Sequence, residues 1–263
     1  MFASKASPLR ASSLPQLLRC PLRLYLVQKG VIIDGDNVAA HTGSMVHRGL
    51  EAFHRNGFHV PKAIKSAKAD LHKYRNADQV KAVKIIEGYG KDPRNRVKTY
   101  LLEEEVSVTL EPWKTDKTKE PIVIIGHCDQ VREVDGQLCV VDYKTTSKGG
   151  DEARGTYTAQ LVLYAMAASI KLKKPVHPGY ICRVTSYTTG KNEKIESPDD
   201  VFFKYPFDLD GTKELINEIR REVARVRREE IGPRTSGDCV YCPAGHVGHC
   251  SKLLLQTLTV KGK

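Results

Sequence analysis

Two carboxylates and a lysine near the middle of the chain carry the strongest chemical signal. Residues 121–134 (PIVIIGHCDQVREV) and 137–146 (QLCVVDYKTT) have the apolar, β-branched content of strands, and the Asp135-Gly136 pair between them favours a two-residue hairpin turn. Counting outward from such a turn, Val134 faces Gln137, and Asp129 comes directly opposite Asp142. Lys144, two residues on, shares their face because side chains alternate along a strand. Like charges opposed across a sheet repel. The apolar runs before them, Val140-Val141 and Ile122 to Ile125, read as buried, where a charge needs a partner. A divalent cation is such a partner, taking hard oxygen ligands from the protein and leaving positions for water and a substrate phosphate. Lys144 can then steady the attacking water or the charge developing on the phosphate. The expected chemistry is metal-assisted phosphodiester hydrolysis with Mg²⁺ or Mn²⁺. The alternative is a solvated polar face with Asp142 and Lys144 as a surface pair, and the apolar company argues against it.

A second cluster lies near the C-terminus. Cys239-x2-Cys242-x7-Cys250 has metal-ligand spacing. The fourth ligand is open: His246 or His249 would complete a zinc-knuckle-like set, and Cys20 would instead give four thiolates suited to a [4Fe–4S] cluster. Cys128, Cys139 and Cys182 sit in apolar, strand-like surroundings and are expected in the core. An odd total of seven cysteines without a secretory signal argues against a disulfide framework and for a reducing, cytoplasmic setting. The first acidic residue is Asp34, and the Ser-, Arg- and Lys-rich segment before it has the composition of an organellar transit peptide. That segment runs straight into residues assigned to the fold, so organellar targeting is the minor expectation.

Gly126-His127-Cys128-Asp129 followed by Asp142-Tyr143-Lys144 resembles the signature of the PD-(D/E)XK nuclease superfamily. Gln160 and Tyr164 resemble the Q-x-x-x-Y motif of its RecB-like branch, and Gly43-Ser-Met-Val-His47 resembles that branch's first motif. The resemblance implies metal ligation by His47, Asp129, Asp142 and the Tyr143 carbonyl, with Lys144 as the catalytic lysine. It also implies that Gln160 and Tyr164 line the active site and contact the nucleic-acid strand. Glu51 reads as a surface partner for Arg48 or Arg55, and Glu105 as a further carboxylate that its neighbours Glu103 and Glu104 make an arbitrary choice. The segment from Ser13 through Cys20-Pro21 to Tyr25 resembles the N-terminal part of the iron–sulfur nucleases of that branch, the CRISPR-associated exonucleases and AddB-type helicase-nucleases. That resemblance implies a shared [4Fe–4S] cluster on Cys20, Cys239, Cys242 and Cys250, with Zn²⁺ the alternative.

The elements that must position these groups can be read from periodicity. Residues 1–10 look like a loose basic tail, and Leu14, Leu17, Leu18, Leu22, Tyr25 and Leu26 have the spacing of one helix capped by Ser12 or Ser13. Gly43-Ser44 is expected to open a second helix, and residues 62–88 to hold one or two more. Residues 101–110 read as a strand, 156–170 as a helix, 178–188 as a strand and 211–230 as a charged helix. The order implies an α/β fold. With the resemblance it implies a restriction-endonuclease-like core, a mixed sheet flanked by helices, over 41–210. A helical segment (1–40) and a C-terminal helix with the cysteine cluster (211–263) would form an iron–sulfur subdomain.

Lys and Arg number 42 against 31 Asp and Glu, a net charge of +11 that favours polyanionic partners. No apolar run reaches the roughly 18 to 20 residues of a membrane span. The basic segment Arg220–Arg228 and the lysines of 62–84 are candidate strand-tracking surfaces. The expected activity is a metal-dependent DNA exonuclease acting on single-stranded ends in recombination, repair or CRISPR-type processing, with room for a helicase, recombination or integrase partner. Two other readings are a non-catalytic single-strand-binding protein with a zinc knuckle and a restriction-type endonuclease. The combined presence of Asp129, Asp142 and Lys144 argues against the first, and the Gln160/Tyr164 helix against the second.

Overall fold

The structure is a computed structural model that describes residues 1–31, 38–145, 150–188, 201–204 and 208–231, the side chains of 150–156 and 203 excepted. It holds strands β1 (Leu9–Arg10), β2 (Thr99–Leu110), β3 (Ile122–Val134), β4 (Gln137–Lys144), β5 (His177–Arg183) and β6 (Phe202–Lys204). The helices are α1 (Leu14–Arg19), α2 (Pro21–Gln28), α3 (Val38–Arg55), α4 (Val60–Ala69), α5 (Gln79–Lys91), α6 (Gly150–Leu172) and α7 (Leu209–Arg227). The sheet is mixed, in the order β1-β3-β4-β5-β6 with β2 also pairing β3. Among the described residues no helix is long and apolar enough to cross a membrane.

Contacts divide the chain into two units. The unit of residues 36–106 and 127–207 carries the acidic hairpin. Asp135 and Gly136 both have positive φ, 51° and 76°, the backbone of a two-residue turn whose twist matches the strands. Pairing runs from Val134↔Gln137 to Gln130↔Val141, the register counted from the turn. It stops there, one step short of Asp129 and Asp142. Strand β4 then pairs in parallel with β5, so a crossover is required, and α6 supplies it. Val141 and Tyr143 face a core built with Met45, Leu50 and Phe53 of α3 and Ile85, Ile86 and Tyr89 of α5. Asp142 lies between them in sequence and points to the other face.

Helix α3 begins at Val38, upstream of the glycine expected to open it. Gly43 is inside the helix, where a Cβ would lie 3.0 Å from Thr145 Oγ1. The glycine answers a close approach to the end of β4 rather than a helix start.

The other unit gathers residues 1–35, 107–126 and 208–263. The segment expected as a loose tail is packed: Leu9 is fully buried, and Leu9 and Arg10 pair in parallel with Ile124 and Ile125 of β3. The single helix expected from Ser12 is two, broken at Cys20, whose extended backbone (φ −150°, ψ 87°) precedes Pro21. A proline disfavours helical backbone in the residue before it and cannot donate to the preceding turn, which is why the apolar spacing alone misleads here. Neither Ser12 nor Ser13 provides a side-chain cap to α1: Ser13 occupies the capping position without bonding to it.

Candidate metal centre

The centre is assembled from α3, β2, β3 and β4 of one unit. His47 sits on the amphipathic α3, whose apolar positions Met45, Val46 and Leu50 are buried. Its Nδ1 donates to Glu103 Oε1 at 3.1 Å and lies 3.4 Å from Asp129 Oδ1. Its Nε2 donates to the Tyr143 carbonyl at 3.2 Å. Only acceptors face the ring, so both nitrogens carry protons. Burial opposes the charge, yet Asp129 and Glu103 together hold the His47 pKa well above 6.5.

Asp129 is buried and accepts the Tyr143 backbone N–H at 2.6 Å through Oδ2. Burial pushes its pKa up, but His47, Lys144 and that N–H outweigh it and leave it below the ordinary value. Asp142 is different. It is 1% exposed, its Oδ2 meets Lys144 Nζ at 2.6 Å, and its Oδ1 is buried without a hydrogen-bond donor. Burial raises its pKa to about 6; Lys144 opposes the rise and Asp129 adds to it. Lys144 is kept protonated, since Asp142 and Asp129 overcome the effect of burial, and its ammonium lies 4.8 Å from the Tyr157 ring centroid.

These residues fit a divalent cation. His47, Glu103 and Asp129 offer donor atoms all within 4.8 Å of one another, and the orphaned Oδ1 of Asp142 is a buried acceptor in want of a positive charge. A family model for the PD-(D/E)XK nuclease superfamily matches residues 8–247. The chain belongs to that superfamily. No curated protein matches the chain. Membership implies a nuclease, a hydrolase that uses divalent metal ions.

Among the residues this PD-(D/E)XK chain was expected to use, His47, Asp129, Asp142, the Tyr143 carbonyl and Lys144 come together. Gln160 and Tyr164 are buried on α6, and Gln160 Nε2 donates to Tyr164 Oη at 3.0 Å. Burial raises the Tyr164 pKa, and Asp142 and Asp129 add to it, which sets the phenol in the field of the carboxylates. Glu51 pairs with both Arg48, at 3.0 Å, and Arg55, at 2.8 Å. Cys128, Cys139 and Cys182 are buried and free, and Cys20 is half-buried and free. Cys239, Cys242, His246, His249 and Cys250 lie outside the described residues.

Glu103 is the residue that sequence reasoning missed. Of the three consecutive glutamates, Glu104 is drawn to Lys171 at 2.9 Å, and the same ammonium takes the Glu105 carbonyl at 2.9 Å. Glu103 turns to His47 instead, with a φ of 47° in mid-strand. A non-glycine residue held in that region is strained, and such strain gathers at functional sites.

The arginines of the basic stretch Arg220–Arg228 are paired within their own unit. Arg220 donates to the Glu111 and Pro112 carbonyls, Arg221 and Arg225 pair with Glu214 and Glu222, and Arg228 takes Thr115 and Glu230. The Arg227 side chain is fully buried against Asp116 at 2.7 Å and also donates to the carbonyls of Phe2, Ala3, Glu120 and Pro121. Lys62, Lys65 and Lys68 of α4 and Lys81 and Lys84 of α5 are exposed.

Proposed function

We propose that the protein is a metal-dependent deoxyribonuclease of the RecB-like branch that trims single-stranded DNA from free ends. The observation that carries the reading is the grouping of Glu103 and Asp129 on His47 beside the buried Asp142, whose Oδ2 is held by Lys144 while its Oδ1 has no donor. His47, Glu103, Asp129, Asp142 and the Tyr143 carbonyl would hold Mg²⁺ or Mn²⁺. When bound, the ion supplies Lewis-acid polarisation of a phosphate oxygen and lowers the pKa of water beside it. Lys144, charged and fixed by Asp142, offsets the charge that develops on the phosphate. Gln160 and Tyr164 contact the strand, and the exposed lysines of α4 and α5 follow its backbone. Cys20 stands at the break between α1 and α2, from which it would join Cys239, Cys242 and Cys250 on a [4Fe–4S] cluster, or on Zn²⁺ with a local histidine. A helicase, recombination or integrase partner in a reducing, cytoplasmic setting fits that chemistry.

End-labelled linear and circular single-stranded DNA, each incubated with and without Mn²⁺, test the activity. Cleavage of the linear strand alone, lost with EDTA and in Lys144→Ala, is expected. Equal cutting of the circle would replace the exonuclease by an endonuclease, and undiminished cleavage by Asp142→Ala would remove the site assignment. Iron content and a broad absorbance near roughly 400 nm in anaerobically purified protein test the cluster. A colourless protein with one zinc that keeps its metal in Cys20→Ala would favour the knuckle.

A further inference from the structure

The backbone ladder between β3 and β4 ends at Gln130↔Val141, just before the carboxylates. Beyond it the Tyr143 N–H goes to the Asp129 side chain. On the opposite face of the sheet the Tyr143 hydroxyl donates to Gln130 Oε1 at 2.9 Å. Each of these two bonds joins a residue flanking one carboxylate to the strand of the other. They take the place of the ladder where it has opened.

The Gln130–Tyr143 bond is backed by a chain of protons with one consistent direction. Tyr143 Oη lies 2.8 Å from Tyr89 Oη, and Tyr89 Oη lies 2.9 Å from His54 Nε2. A phenol has one proton. Since that of Tyr143 goes to Gln130, Tyr89 donates to Tyr143 and His54 Nε2–H to Tyr89, which leaves the longer 3.4 Å approach of Gln130 Nε2 to His54 Nε2 a contact between two donors. Turning the Gln130 amide over reverses the chain without removing a link. Tyr89 and Tyr143 are fully buried and Gln130 is 0% exposed, so water offers these groups no substitute partner.

Both backbone polar groups of Tyr143 lie in the metal centre: its N–H on Asp129 and its carbonyl on His47. Its neighbours are Asp142 and Lys144. A shift of Tyr143 therefore carries Asp142 and Lys144 with it and disturbs its bonds to Asp129 and His47. We propose that Gln130 and Tyr143 form a cross-strand clamp behind the centre, with Gln130 a positioning residue that sets metal affinity through Tyr143. The inference rests on the metal-dependent reading above. Groups that orient metal ligands from behind typically change affinity about 10- to 100-fold when removed.

The test is direct Mn²⁺ binding to the purified full chain without DNA, by calorimetry and by the electron paramagnetic resonance of free Mn²⁺. Gln130→Met and Tyr143→Phe should each weaken binding about tenfold, and the double variant no further, because either change alone already removes the bond the two residues share. Tyr89→Phe breaks the chain one link back and lowers the melting temperature, but leaves the clamp, so its affinity should stay within about twofold. Wild-type affinity in both Gln130→Met and Tyr143→Phe would overturn the clamp. So would a loss in Tyr89→Phe as large as theirs, which marks a general effect of destabilisation. A wild-type chain that binds no Mn²⁺ would instead refute the metal-dependent reading.

Discussion

Replacing Asp142 by asparagine should make the metal-free protein more stable while abolishing its activity. Three carboxylates, Glu103, Asp129 and Asp142, stand against two cations, His47 and Lys144, and the odd charge falls on Asp142. Its pKa is raised from 3.8 to about 6. The sign follows from linkage. Below about pH 4 the group is protonated whether the chain is folded or not. As the pH climbs through about 6 the folded chain must ionise a group that burial disfavours, and stability falls. That rise corresponds to about 3 kcal/mol at neutral pH. Asparagine keeps the shape and leaves two carboxylates for two cations, but Lys144 loses its 2.6 Å partner. A net gain of about 1 to 3 kcal/mol is expected, or about 2 to 8 °C in Tm for a chain of this size. Calorimetric melting in EDTA at pH 7.5 measures it. Mn²⁺ should reverse the order, stabilising the wild type by about 2.7 kcal/mol at a hundredfold excess over Kd and Asp142→Asn far less. If Asp142→Asn melts below the wild type in EDTA, the Lys144 ion pair outweighs burial and the account of the site as charge-frustrated is wrong.

Glu103→Gln should weaken Mn²⁺ binding at least about tenfold, while Glu104→Gln, which loses only an exposed pair with Lys171, should bind as the wild type; equal effects would remove Glu103 from the ligand set. His47, its pKa held well above 6.5 by Asp129 and Glu103, must give up a proton to become a ligand. Mn²⁺ association at pH 6.5 should therefore release about one proton, and affinity should rise with pH; calorimetry in buffers of different ionisation enthalpy counts it, and a count of zero refutes ligation by His47. Arg227→Met strands the buried Asp116 and several carbonyls, so urea denaturation should show a loss of about 3 to 5 kcal/mol, and a loss under 1 kcal/mol would mean that the buried pair contributes little.

Much of the hairpin was legible from residue order alone. Turn type, register and side-chain alternation are set within a few residues of one another, so Asp135-Gly136 determined that Asp129, Asp142 and Lys144 share a face. The strand and helix periods of 101–110 and 156–170 were likewise local signals. Where the ladder would stop was not legible, because that depends on Asp129 capturing the Tyr143 N–H in place of a backbone bond. The choice of Glu103 among three glutamates was decided by His47, 56 positions away, and by Lys171, which draws off Glu104. The arginines of α7 look in sequence like a free basic stripe. Only the tertiary fold brings Asp116 and the carbonyls of Phe2, Ala3, Glu120 and Pro121 to Arg227 and turns that one side chain inward. Local geometry repeats with a fixed period and can be counted along the chain. Which distant groups meet is settled by the burial of charge and the satisfaction of hydrogen bonds, and no spacing records that.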